Sequence, residues 1–158
     1  YSGTKTDLLQ LSTTTLVMND YQYRVIVTDF HGNFKISDAA FLTVNPLPVA
    51  TATPERDTIC NNETTYIVLT SDVPNTTFTL EVVYNGSITG ASTILDVDTI
   101  KQTLTNPGNN VDSVIYRIIP TGPDPTSCVG TADTAVVLVN PTPNIIPLID
   151  AERICNNG

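Results

Sequence analysis

Val44-Asn45-Pro46-Leu47-Pro48 returns as Val139-Asn140-Pro141-Thr142-Pro143, and this duplication limits what the chain can fold into more than its composition does. A second motif keeps the same step, Ile59-Cys60-Asn61-Asn62 returning as Ile154-Cys155-Asn156-Asn157. The offsets agree, 141 − 46 = 95 and 155 − 60 = 95. Two separate motifs moving by one period mark an internal repeat, so the chain reads as a slice of an array. Residues 1–45 read as the C-terminal part of one unit, 46–142 as a complete unit and 143–158 as the start of the next. A unit of this length can bury a core of its own.

Within a unit the residue choice is that of a β protein. There is no Trp and one Met, against 26 Thr and 11 Pro, which favours β-branched strands punctuated by proline. Strands are expected at 8–11, 21–28, 39–44, 66–71, 99–104, 114–119 and 135–139. The stretch 76–84 (TTFTLEVVY) alternates, with Phe78, Leu80, Val82 and Tyr84 expected on the core face, and 99–104 (TIKQTL) is expected to turn Ile100 and Leu104 inward. In the first part, Tyr23, Val25 and Val27 share one face of the 21–28 strand, and 92–98 has no clear assignment. Turn residues separate these runs: 29–33 (DFHGN), Asn85-Gly86 as a hairpin signal, and 106–110 (NPGNN). The proline-bearing stretch 46–54 reads as a semi-rigid spacer. Short strands without helical periodicity predict an all-β fold of tandem, immunoglobulin-like antiparallel β-sandwiches. Leu16, Asp20 and Tyr23 have the order of a tyrosine corner, with Tyr116 matching Tyr23 in the complete unit. Val25 stands where antibody domains carry their second Cys, so that disulfide is not expected.

Seven Lys and Arg against sixteen Asp and Glu leave a formal charge of −9. That argues against a nucleic-acid partner, which needs a basic patch. No apolar run is long enough for a membrane helix. Three Cys are present. The repeat suggests a Cys60–Cys128 disulfide inside the complete unit, with Cys155 unpaired in this chain, and hence an oxidising, extracellular setting. The rival reading is three free thiols in a cytosolic protein, although no CxxC or metal-ligand spacing supports it.

Chemistry is sparse. The single histidine, His31, lies in a turn, and neither GxSxG, HExxH nor a glycine-rich phosphate loop occurs, so no catalytic residue is expected. No cofactor is expected either, with calcium at Asp72, Asp96 and Asp98 the one candidate weighed against solvated acidic loops.

With these motifs in place, 46–140 resembles the PKD-like repeats of secreted bacterial cell-surface proteins that use type IX secretion. The resemblance rests on Asn45 to Pro48, Ile59 to Asn62, Thr76 to Thr79, Ile88 to Ser92, Gln102 to Asn106, Val114 to Thr121, Cys128, and Val137 to Pro143. The part ending at Val44 is similar to the Ig-like repeats that accompany them. The resemblance implies stalk repeats of giant surface adhesins, SprB-like gliding-motility adhesins among them, with neighbouring repeats, secretion machinery or an extracellular polysaccharide as partners. It also implies O-glycosylation at Asp-Ser/Thr-apolar triplets, placing candidates at Thr58, Thr99, Ser113 and Thr134, though a Thr-rich strand alternates this way in any case. Three matches to the N-glycosylation pattern, at Asn62, Asn75 and Asn85, are expected to stay bare. The expected role is a non-catalytic extracellular spacer. A carbohydrate- or surface-binding sandwich using Tyr84 or Phe30 is the alternative, weakened by aromatics expected mostly on core faces. A third reading is an accessory segment of a secreted hydrolase.

Overall fold

The computed structural model describes residues 7–145. The unit after Pro46 alternates polar and apolar residues along strands that can share two facing sheets, and these strands form. They are β5 (Ala50–Thr53), β6 (Arg56–Cys60), β7 (Ile67–Ser71), β8 (Thr77–Tyr84), β9 (Thr99–Ile100), β10 (Asp112–Thr121) and β11 (Asp133–Asn140). One sheet has the order β5-β7-β9 and the other β6-β11-β10-β8. Ala50, Ala52, Ile67, Leu69 and Ile100 meet Phe78, Leu80, Val114, Tyr116, Ile118, Ala135, Val137 and Val139 between the sheets. Leu104 and Ile88 close the core from the connections. The predicted inward positions of the 99–104 stretch, Ile100 and Leu104, are both fully buried.

The expected antiparallel sandwich needs one amendment. β6 runs parallel to β11, with Ile59 opposite Val139 and Cys60 opposite Asn140. The stretch 46–54 is also more than a spacer, because β5 pairs antiparallel with β7. The chain leaves that sheet at Pro54, which has no N–H for a ladder, and re-forms as β6 at the edge of the other sheet. One run of sequence thus ties both sheets together at their edges.

Two local expectations also change. Tyr84 is 49% exposed and lies outside the core. The register of β8 on β10 shifts between Ile115 and Tyr116, Val82 facing Tyr116 while Tyr84 faces Ile115. The bulge inserts one residue and reverses the alternation, so Tyr84 joins the outer face. Asn85-Gly86 makes a turn, with Gly86 at φ +50° and Ile88 N–H donating to Asn85 C=O at 2.8 Å. It does not close a two-residue hairpin: Thr89 first bridges Thr105, and the chain then returns to pair antiparallel with β8, Leu80 and Ile94 exchanging N–H bonds.

The preceding segment is built differently. A 3₁₀ turn (Leu16–Met18) leads to β1 (Gln22–Tyr23), β2 (Ile26–Thr28), β3 (Phe34–Ile36) and β4 (Ala40–Phe41), forming two separate two-stranded sheets, β1-β4 and β2-β3. The strands expected at 21–28 and 39–44 are therefore present only in part, and 8–11 forms no strand. Val25, Ile26 and Val27 are all exposed, because no sheet among the described residues faces them. The 29–33 turn is as expected. Asp29 accepts N–H bonds from His31 and Asn33, and Gly32 adopts φ +88°. The side-chain bond from Asn33, then those N–H bonds, lower the Asp29 pKa.

Candidate functional site

The sandwich has two distinct ends, and both carry linker residues and a cysteine. β11 begins beside the leading linker, where Val49 bridges Thr131 and Pro48 C=O accepts the Thr131 N–H at 2.8 Å. A side chain at Gly130 would run into the Pro48 carbonyl, so glycine there permits the close approach. Asp72 secures the same linker by accepting the Val49 N–H at 2.8 Å. The strand then runs eight residues to Asn140 at the trailing end. There Asn61 Nδ2 donates to Thr142 Oγ1 at 2.8 Å. Buried Asn106 donates to the Val139 and Asn110 carbonyls and accepts the Gly108 N–H. The 106–110 turn is thus organised by one inward amide. At about 3.3 Å per residue, the two linkers lie roughly 25 Å apart.

This geometry corrects the disulfide expectation. Cys60 and Cys128 are free thiols. Cys60 lies opposite Asn140 at the trailing end, whereas Cys128 C=O accepts the Gly122 N–H beyond the far end of β10. A disulfide needs Cα atoms within about 7 Å, so the two cannot join without unfolding the sheet between them. Cys155 lies outside the described residues.

The four Asp-Ser/Thr-apolar triplets share a structural pattern. Their apolar third residues Ile59, Ile100, Val114 and Ala135 are all buried in the core. The hydroxyl residue before each faces outward, Thr58 and Thr134 exposed and Thr99 and Ser113 half-buried. In three triplets the Asp carboxylate accepts the N–H of the following hydroxyl residue: Asp57 from Thr58, Asp112 from Ser113 and Asp133 from Thr134. The N–H bonds of Ser87 and Ser113, with the Ser87 hydroxyl, hold Asp112 below the usual carboxylate range. Ser113, Leu138 and Thr58 lie directly across neighbouring strands, so both hydroxyls share one sheet face.

Tyr116 does not make a tyrosine corner. Its hydroxyl donates to Gln102 Oε1 at 2.8 Å, in the middle of the core rather than back to nearby backbone. Gln102 in turn grips the Ser92 N–H and C=O, pinning the 92–98 stretch that sequence left unassigned. Burial pushes the Tyr116 phenol pKa up. Tyr23 is paired as Tyr116 is: Tyr23 faces Ala40 and Tyr116 faces Ala135.

Other expected chemistry is dispersed. No group of three or more His, Cys, Asp or Glu side chains gathers to hold a metal among the described residues, and Asp72 is occupied with the linker. His31 is an exposed turn residue beside Phe30. The expectation that aromatics fill the core fails. Phe78 and Tyr116 are buried, but Phe30 is 92% exposed, and Phe34, Phe41, Tyr21, Tyr66 and Tyr84 are exposed as well. Among the described residues no helix is long and apolar enough to cross a membrane.

No curated protein matches the chain. A family model described as a PKD-like domain matches residues 57–143, more than half of the sequence and almost all of the sandwich. The chain belongs to the PKD-like domain family.

Proposed function

We propose that this chain is a stalk segment of a larger secreted cell-surface protein, in which sandwiches joined end to end hold a distal adhesive part away from the cell. The carrying observation is that the leading and trailing linkers leave opposite ends of β11, so each unit adds its length to the chain. PKD-like domains are generally non-catalytic modules and fit a structural, extracellular role. The repeated linker and Ile-Cys-Asn-Asn motifs support an array. So does strand register, because Tyr23 and Ala40 are offset from Tyr116 and Ala135 by 116 − 23 = 93 and 135 − 40 = 95. In an array each unit contacts mainly its neighbours, and length grows without altering any unit. Resemblance to repeats of type IX-secreted adhesins supports a parent protein of surface attachment and gliding. Outward Thr58 and Thr134, flanked by backbone-bonded Asp57 and Asp133, are the leading glycan acceptors. Electron microscopy of the parent protein from its native source tests the stalk. A filament lengthening by one fixed increment per unit is expected, and a compact particle refutes it.

Binding of a polysaccharide is the second reading, favoured by the exposed aromatics Phe30 and Phe34 of the β2-β3 hairpin. Retention of the chain on a glycan array, lost in Phe30→Ala, would support it.

A further inference from the structure

We propose that the free edge of β6 is a strand-pairing surface for a second copy of this chain, held shut by the carboxylates of Asp57 and Glu63. A strand at the end of a sheet presents unpaired backbone groups that can template another strand, and a fold has to cover them. Elsewhere the sandwich does so with its own backbone. On one side, Thr89 exchanges N–H bonds with Thr105 just beyond β9, and Leu80 of β8 exchanges them with Ile94. On the other, the start of β11 closes β5, whose Ala50 and Ala52 N–H groups donate to Thr131 C=O and Asp133 Oδ2. β6 ends the larger sheet with no strand beyond it among the described residues.

Backbone polar groups alternate sides along a strand. Val136 N–H bonds Glu55 C=O, so Asp57 and Ile59 turn their backbone toward β11, and Arg56, Thr58 and Cys60 turn theirs outward. Arg56–Cys60 contains no proline and runs against β11 without a bulge, so the strand itself does not prevent pairing. Side chains cap it instead. Asp57 Oδ1 accepts the Thr58 N–H at 2.8 Å, and Glu63 Oε2 reaches back to accept the Cys60 N–H at 2.8 Å. Glu63 N–H also donates to Cys60 C=O at 3.1 Å, which closes both backbone groups of that residue. Hydrogen bonds to ionised carboxylates are stronger than neutral ones, so an incoming strand has to displace the better acceptor.

A second copy is the partner this edge fits. Two antiparallel β6 strands centred on Thr58 present the same surface to each other, the self-complementary contact of a two-fold dimer. In that register Thr58 faces its own counterpart and Asp57 faces Ile59, so no like charges stand opposite. Where units are joined in an array the edge recurs in each, and the caps keep neighbouring stalks from zipping together.

Sedimentation of the chain over a concentration series tests this, with reductant present to exclude disulfide dimers through Cys60 or Cys128. Asp57→Ala combined with Glu63→Ala should raise self-association over the wild type by about tenfold or more, because two freed N–H groups then pair across copies. Adding Thr58→Pro removes one of those N–H groups and should return association to the wild-type value. Asp57 also accepts the buried Thr65 hydroxyl at 2.7 Å, so the double variant loses a core tie as well. Glu63→Ala leaves that bond intact and should show the rise alone, to a smaller extent, which decides the matter should the double variant unfold. No rise in a folded variant, or a rise that survives Thr58→Pro, overturns the proposal. Neither outcome touches the stalk, which microscopy of the parent tests.

Discussion

Two regions of this chain share one vocabulary and reach opposite outcomes. The stretch 21–28 alternates β-branched and aromatic residues much as 112–121 does. In β10 the inward residues Val114, Tyr116 and Ile118 are completely buried, while Val27 of β2 is 64% exposed. Propensity is similar, so the difference lies in what each strand faces. β10 sits between β8 and β11 with the β5-β7-β9 sheet across the core, whereas β2 has only β3 beside it among the described residues. Isolated two-stranded sheets are marginal in water, and burial arrives with a second layer.

Mutations can break or sharpen this contrast. Ile118→Ala should cost about 2–5 kcal/mol in urea unfolding, because a fully buried side chain leaves a cavity. Val27→Ala in the other region should stay within about 0.5 kcal/mol. Equal losses at the two sites would show that 7–45 packs against a sheet of its own. Gly130→Ala probes the seam, where a new methyl meets the Pro48 carbonyl. Overpacking of this kind costs about 1–3 kcal/mol. Amide exchange should show it as faster exchange at Thr131, whose N–H bonds Pro48. Loss of protection confined to β1–β4 would instead uncouple the linker seat from the sandwich.

Tyr116→Phe removes the hydroxyl bond to Gln102 and should cost about 1 kcal/mol at neutral pH. The same residue sets an alkaline limit. Its folded pKa is raised above the ordinary 10.0, so the folded state favours the protonated phenol. That contribution is complete below pH 10 and is lost as pH climbs above it, at about 1.4 kcal/mol per pH unit. Urea midpoints measured from pH 9 to 11.5 should fall for the wild type and flatten in Tyr116→Phe. The smallest effect belongs to Arg117–Glu81, an ion pair of 3.5 Å between half-exposed groups on the outer face. Arg117→Ala should change stability by less than about 1 kcal/mol, and less again in high salt.

Legibility followed how local each feature is. The 29–33 turn was readable because Asp29, Gly32 and Asn33 hold one another within five residues. Inward Ile100 and Leu104 were readable from alternation and a polar flank. Tyr84 was misplaced because a bulge against β10, which no pattern within 76–84 reveals, reverses the strand's faces. The Gln102–Tyr116 bond joins residues from facing sheets, and a Gln between two core positions was its one visible sign. The triplets Asp57-Thr58-Ile59, Asp112-Ser113-Val114 and Asp133-Thr134-Ala135 owe their form first to strand starts, with Asp holding backbone, a hydroxyl outward and an apolar residue in the core.

By itself the sequence determined that the chain is all-β, that its linker and Ile-Cys-Asn-Asn motifs recur at one period, and that alternating residues such as Phe78, Leu80, Ile100 and Leu104 form the core of the unit. These depend on spacing along the chain, which sequence records directly. Only the tertiary structure decided that β6 crosses to the second sheet and runs parallel to β11, and that Cys60 and Cys128 stand at opposite ends of it. Distance through space depends on strand order and direction, and 68 residues of chain separation, 128 − 60, are silent about both.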